Sequence, residues 1–280
     1  MDIRKKYIDS YFKQSGSDSN FTIELDESIN TPENTVAYID EIVIPNVMKI
    51  IDERNNKIYV SISVNESTFY DVLTIPINNY NGIEYKNILN QIFLDYTTNF
   101  GINHPTILFK IEFSYDLLKN ILTIELSDTR ITDELYPLIF KVYSNNDIID
   151  GSCNNQSINV YDIRSFNQTI SLDTTLIMLK NIEYNRILNL RTTKNLYLHC
   201  SDLSSNDSTS NFNMNTIVKK KILYSSSNEL NITMSQSAID YLFVGKRSLK
   251  RLSFRIIDNM NNIINLYGNS VYFSIIFMNK

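Results

Sequence analysis

The chain has 280 residues, a formal net charge of −5 and 43% hydrophobic residues. That balance excludes wholesale disorder and argues against a protein that coats nucleic acid indiscriminately, since such binding rests on cations that neutralise phosphates. The longest apolar runs, such as 272–278, fall far short of the ~20 residues of a membrane-spanning helix, and Met1-Asp2-Ile3-Arg4-Lys5-Lys6 has no apolar stretch behind it of the kind a secretory signal carries. Asn occurs 37 times and Ala only twice, at Ala37 and Ala238. The best helix former is thus almost absent, while Ile, Val, Thr, Tyr and Phe suit pleated, half-buried surfaces. The chain reads as mostly β.

Residues 1–19 are polar and read as an N-terminal arm rather than core. From Phe21 the pattern alternates, with Phe21, Ile23 and Leu25 on one face and Thr22, Glu24 and Asp26 on the other, which is the period of a half-buried strand. Val36–Ile44 is a second strand, stopped by Pro45. Residues 57–64 alternate again behind the turn residues Asn55-Asn56, and 71–77, which contains Pro76, belongs at an edge or an end. One helix stands out: Tyr85, Ile88, Leu89, Ile92, Phe93 and Tyr96 form a single apolar stripe at helical spacing, with Gly101 as its stop. Such a stripe is a core face. Residues 107–115 and 121–127 read as a hairpin, and 136–143 is another apolar run. The turn-rich stretch 145–156 is the best internal boundary. Beyond it lie strands at 157–163, 175–180, 186–190, 195–200, 216–224, 241–244, 249–257 and 270–278, with a Ser/Asn/Asp-dense loop at 201–215. About fifteen short strands and one clear helix predict an antiparallel β-sandwich or jelly-roll architecture.

Reaction chemistry is sparse. The two histidines are His104, which precedes Pro105 in a loop, and His199, which neighbours Cys200 on a strand. Adjacent strand residues point to opposite faces, and no CxxC or HxH spacing accompanies them. Cys153 and Cys200 read as reduced thiols. No phosphate-binding glycine loop and no G-x-S-x-G elbow occurs in the sequence. No catalytic, metal-binding or cofactor-binding residue is assigned, and the chain reads as a non-enzyme. Carboxylates are plentiful, so a hydrolase using a carboxylate pair stays open as the least favoured reading. Basic clusters lie at Arg4-Lys5-Lys6, Lys219-Lys220-Lys221, and Lys246-Arg247 with Lys250, Arg251 and Arg255. On strand 249–257 the cations mostly share the parity of a solvent face, so that cluster and the second are expected to be solvated, whereas for Arg4, Lys5 and Lys6 on the arm contact with nucleic acid or an acidic partner stands level with a solvated face.

The order of the elements carries more than any site. Tyr7-Ile8-Asp9-Ser10-Tyr11-Phe12 is followed by SGSDSNFTIELDESI (15–29), VAYIDEIVIPN (36–46), LTIPINNYNGIEYKNILNQI (73–92), FKIEFSYDLLKNILTIEL (109–126), NLYLHCSDL (195–203) and LSFRIIDNMNNIINLYGNSVYFSIIFM (252–278). This succession resembles the minor capsid proteins of virophages, Polinton-like elements and large double-stranded DNA viruses, the penton type among them. The resemblance implies a jelly-roll subunit of the virion, synthesised in the host cytoplasm. It also implies a homopentamer at the five-fold vertices of an icosahedral capsid, beside trimers of a double jelly-roll major capsid protein. On that pattern 20–50 plus 149–280 form a single jelly roll and 51–148 a small α+β or β insertion carrying the helix, with two tandem halves split near 150 as the alternative, and Arg4, Lys5 and Lys6 of the arm point to an acidic capsid neighbour or encapsidated DNA. Another capsid-surface or receptor-binding protein of the same lineage, with loops near 145–156 and 201–215 as the binding surface, is the second reading of function.

Overall fold

A computed structural model describes residues 3–64, 66–128, 138–153, 157–160, 163–180, 182–190, 195–203, 217–222, 230–234, 241–258 and 261–279. In chain order the elements are β1 (Ile3–Asp9), β2 (Ser15–Gly16), β3 (Asn20–Thr31), β4 (Thr35–Pro45), β5 (Lys57–Val64), β6 (Ser67–Thr74), α1 (Gly82–Asn103), β7 (Phe109–Asp116), β8 (Ile121–Asp128), β9 (Ile139–Val142) and α2 (Asn145–Ile149). They continue with β10 (Leu176–Met178), β11 (Glu183–Ile187), β12 (Asn195–Cys200), β13 (Ile217–Ile222), β14 (Leu230–Met234), β15 (Leu242–Phe243), β16 (Arg247–Ile257) and β17 (Tyr272–Asn279). Every strand pairing among them is antiparallel.

The chain divides into two compact units, Met1–Met48 with Thr193–Lys280, and Lys49–Thr192. The first is a β-sandwich. One sheet runs β1-β17-β4-β14, with β15 also on β4; the other runs β13-β12-β16-β3-β2. Setting aside the two-residue strands β2 and β15, the described residues of the unit form eight strands in chain order: β1, β3, β4, β12, β13, β14, β16 and β17. The two sheets then read 1-8-3-6 and 2-7-4-5. That order is a single jelly roll, two Greek keys wound into facing sheets. Its core forms because inward residues alternate along each strand. Phe21 of β3 lies 5.5 Å, ring centre to ring centre, from Phe254 of β16, and Phe254 meets Phe273 of β17 edge-on at 4.9 Å, which joins the two sheets.

The polar start of the chain is not an arm. Residues 3–9 are the first strand of the jelly roll, paired with β17 over its whole length, from Ile3 opposite Met278 to Asp9 opposite Tyr272. Ile8 is buried, and Ser10 locks the strand end: its N–H donates to Val271 O at 3.0 Å, and Val271 N–H donates to Ser10 Oγ at 2.9 Å. An edge strand needs only one inward residue per turn of the pattern to dock, so its composition looks like that of an unstructured tail.

The second unit holds the sheets β10-β9-β5-β6 and β11-β8-β7 with α1. Asn81 and Glu84 close a capping box at the start of α1, each side chain accepting from the other residue's backbone N–H. The predicted stripe is the buried face: Tyr85, Leu89 and Phe93 are fully enclosed, and Ile88, Ile92 and Tyr96 pack against the same core. Asn90 treats β7 as a strand would, donating to Phe113 O and accepting from Phe113 N–H, both at 2.8 Å. Gly101 does not stop the helix, which runs to Asn103. The stop is His104, whose position before Pro105 disfavours helical backbone. A second helix, α2, is capped by Ser144, whose hydroxyl accepts from Asp147 N–H, so the unit carries two helices where one was expected.

Residues 149–192 were placed with the jelly roll by sequence, and their described portion lies in the second unit instead. The reason is pairing: β10 lies on β9, β11 lies on β8, and Phe166, Ile170, Leu172 and Leu188 fill the second core. β6 lies earlier than predicted, at 67–74, and is an edge strand that ends before Pro76. No strand forms at 157–160, and 161–162 lie outside the described residues, as do 204–215 of the predicted loop; Ser201–Leu203 is a short 3-10 turn. β14 went unread in the sequence.

Candidate functional site

The side chains singled out by sequence are spread over separate strands, so the surface is built strand by strand. On β1, alternation puts Arg4 and Lys6 on the same side as buried Ile8, and Ile3, Lys5 and Tyr7 on the other. Lys5 Nζ reaches Asp40 Oδ2 of β4 at 2.7 Å and sits 5.1 Å from the centre of the Tyr7 ring. The hydrogen bond to Asp40 is the main cause that raises the Lys5 pKa, and it fixes this cation to its own sheet. Arg4, Lys5 and Lys6 therefore do not act as one loose basic patch. Ile3 is 58% exposed and Tyr7 77%, and Tyr11 and Phe12, which follow directly, are both highly exposed and pack edge to face at 5.2 Å. Scattered exposed apolar residues are normal; four large ones within ten residues make a concentrated exposed apolar strip along β1 and the turn after it.

The other two clusters resolve differently. On β13, Lys219 and Lys221 stand opposite Leu198 and Leu196, both core residues, and are themselves buried; Lys220 stands opposite Tyr197 and is exposed. Burial lowers the Lys221 pKa. Expecting a plainly solvated face here was wrong for two of the three. On β16 the parity slips at Lys250, because four β3 residues, Leu25–Ser28, oppose Lys250 alone between the pairs Leu249–Ile29 and Arg251–Glu24. The extra residues bulge outward with Asp26, Glu27 and Ser28 exposed. Lys250 Nζ fills the bulge, donating to Leu25 O at 2.6 Å and Asp26 O at 2.9 Å. Beside it runs a shallow depression lined by Glu24, Ser201, Asp202, Arg247, Lys250 and Arg251. Its two carboxylates are both engaged: Glu24 faces Arg251 Nε at 3.4 Å and Lys250 Nζ at 3.8 Å, and Asp202 accepts from Ser253 N–H at 2.7 Å. They hold the loop and the sheet together rather than standing ready for proton transfer.

His199 is enclosed on β12 at a bulge between Leu198 and His199. Burial first, then the charge of Arg255 across the ladder, pushes its pKa down to about 4, so the ring is neutral at physiological pH. Burial pushes the neighbouring Cys200 thiol up to about 12, which makes it an inert core residue. His104 is a helix cap whose ring packs against Phe69 and Phe100 at 4.4 and 4.5 Å. Among the described residues no three of His, Cys, Asp and Glu converge to hold a metal, and no helix is long and apolar enough to cross a membrane.

The fold defines a class: a single jelly roll whose third and fourth strands are separated in sequence by a second, mixed unit. Among solved structures the chain is similar to a crystal structure of the mavirus penton protein, with a TM-score of 0.48 and 12% identity over the whole of both chains. No protein-family model matches the chain, and no curated protein does.

Proposed function

We propose that this chain is a structural subunit of an icosahedral viral capsid, a penton that forms rings of five at the vertices. The observation that carries the reading is the strand order 1-8-3-6 and 2-7-4-5, the jelly-roll architecture that recurs in viral capsid domains. The segments whose succession resembles minor capsid proteins contribute most of it: they hold β12, nearly all of β3, β4 and β17, the C-terminal parts of β1 and β16, and in the second unit the start of α1 and the β7–β8 hairpin. Fold alone does not assign function, so the order of these segments along the chain is the second support. The molecule works through its surface, with a double jelly-roll major capsid protein as the neighbour around the ring and the virion as its location. Contact with an acidic capsid neighbour or with packaged DNA is assigned to Arg4, Lys5 and Lys6 of β1, of which Lys5 is also held by Asp40. The test is the mass of the purified full chain in solution, followed by imaging. A species five times 32.6 kDa with five-fold symmetry supports the reading. A monomer or trimer at tens of micromolar overturns it, and a trimer would favour the receptor-binding alternative.

A further inference from the structure

The jelly roll has two lateral sides, and they are not alike. On the first side lie β1 and, beyond the short cover of β2, the open edge of β3: β2 pairs only with Phe21 and Thr22, and among the described residues no strand pairs with the rest of β3 on that side. On the opposite side lie β14 and β15 at the end of one sheet and β13 at the end of the other. The first side has a basic edge, β1, with Arg4 and Lys6 beside the Asp40-bound Lys5 and ending at Asp9, and an edge, β3, whose bulge displays the exposed carboxylates of Asp26 and Glu27 while Lys250 bonds its backbone carbonyls. The second side has an edge without charged residues, β14 and β15, and a basic one, β13, with Lys220 outward.

We propose that copies of this chain associate head to tail through these two sides, with the Asp26–Glu27 bulge of one copy against β13 and Lys220 of the next, and β1 against β14 and β15. The inference rests on the ring proposed above and names its interface. Charge selects the register. Matching sheet to sheet sets acidic β3 against basic β13 and basic β1 against an uncharged edge, whereas the crossed arrangement sets β1 against β13, cation against cation. Apolar surface agrees: Ile3 and Tyr7 on the first side meet Phe243, 55% exposed, on the second. Edge lysines alone would be read as protection against sheet-to-sheet association; interleaved with exposed Ile and Tyr they leave the edge adhesive to a partner of the right charge. Two different faces in contact make a heterologous interface, which closes into a ring when the rotation per subunit allows it.

The experiment uses the full chain and three charge variants in sedimentation at low salt. The double variant Asp26→Lys/Glu27→Lys and the single variant Lys220→Glu should each weaken association at least about tenfold, and the triple variant, which reverses both edges, should recover to within a few-fold of the natural chain. Asp26, Glu27 and Lys220 are all exposed, and far-ultraviolet circular dichroism checks that each variant is folded. Independently, Glu27→Cys with Lys220→Cys should give oxidised ladders up to the ring, since Cys153 and Cys200 are both buried. A natural chain that does not form rings overturns the penton reading and this inference together. Intact rings in all charge variants, without cross-linked ladders, overturn the inference alone. A product that stops at a dimer overturns it in favour of a two-fold pairing of the first side with itself.

Discussion

Ile8 and Tyr7 are neighbours on β1 and should answer truncation in opposite ways. Ile8 is 3% exposed and faces the sandwich core, whereas Tyr7 is 77% exposed on the other face of the same strand. Ile8→Ala removes about three buried carbons, roughly 2.4 kcal/mol at about 0.8 kcal/mol each, and leaves a cavity whose collapse decides where the total falls in the range of about 2–5 kcal/mol seen for such changes. An edge strand can shift towards the gap, so the lower half, about 2–3 kcal/mol, is expected. With a urea m-value of about 2 kcal/mol/M, the midpoint of the transition that reports the jelly roll falls by roughly 1–1.5 M. Tyr7→Ala should change it by less than about 0.5 kcal/mol. The assay is urea unfolding followed by circular dichroism, at a dilution where a single species sediments, so that association does not enter the free energy. Equal, small effects at both positions would refute the docking of β1 and restore the picture of a loose arm. The same logic governs truncation: removing residues 1–13 strips β17 of its partner and bares Tyr-Phe-Ser-Ile-Ile-Phe-Met, an uncharged window of high β-propensity, so the truncated chain should aggregate rather than form rings.

Further outcomes follow from single positions. His199 holds its proton only below about 4 when folded and near 6.5 when unfolded; the unfolded state therefore binds more protons between those values, and jelly-roll stability should fall as pH drops from 6.5 towards 4, by up to about 3 kcal/mol. The variant His199→Asn should lose that part of the slope in urea titrations at several pH values, and an unchanged slope would sink the assignment. Gly16 has φ +94°, and a Cβ there would lie 2.0 Å from Asn20 O, so Gly16→Ala should lower stability by about 1–3 kcal/mol, seen as a drop in thermal midpoint; no drop would mean that the β2–β3 turn forms otherwise. Asn81→Ala removes the capping box of α1 and should destabilise the second unit by about 0.5–2 kcal/mol, read as faster amide exchange in the first turn of the helix. Unchanged exchange there would contradict the cap.

Strands with a buried face on one side and water on the other announce themselves, and this is why β3, β4, β5, β7, β8, β12, β16 and β17 were legible: each carries at least one stretch of alternating inward residues, even where a bulge shifts the phase, as at Asp40 of β4 and Lys250 of β16. The strands that were missed lie at edges. β1 needs only Ile8 inside, and its cations hide the rest. β14 shows Leu230, Ile232 and Met234 at period two, but over five residues in a Ser- and Asn-rich stretch, too short to separate from chance. Counting did not expose either, because 20–50 plus 149–280 already held ten predicted strands, more than the eight of a jelly roll. The helix stop was misjudged for a local reason: glycine ends helices by adopting left-handed backbone, while a residue before proline ends them by steric exclusion, and here Pro105 stands four residues after Gly101.

The surface was less legible than the core, and charge shows why. Three basic clusters of similar composition turn out to be three different things. One Lys of the first is bound within its own sheet, two of the second point into the sandwich, and Lys250 of the third plugs a bulge in the neighbouring strand. Spacing along a strand gives the face but not the phase, and the phase changed at the one place where four residues face a single lysine. That bulge is also what lifts Asp26 and Glu27 out of the ladder. A regular β3 would turn one of them inward, against a core that cannot solvate a carboxylate, so the irregularity permits two adjacent acidic residues on an open edge. The same distortion that defeated the alternation pattern is therefore what supplies the acidic half of a head-to-tail contact, and straightening it, by deleting three of the four bulged residues so that one faces Lys250, should remove the contact while leaving the remaining ladder pairs of β3 and β16 in place.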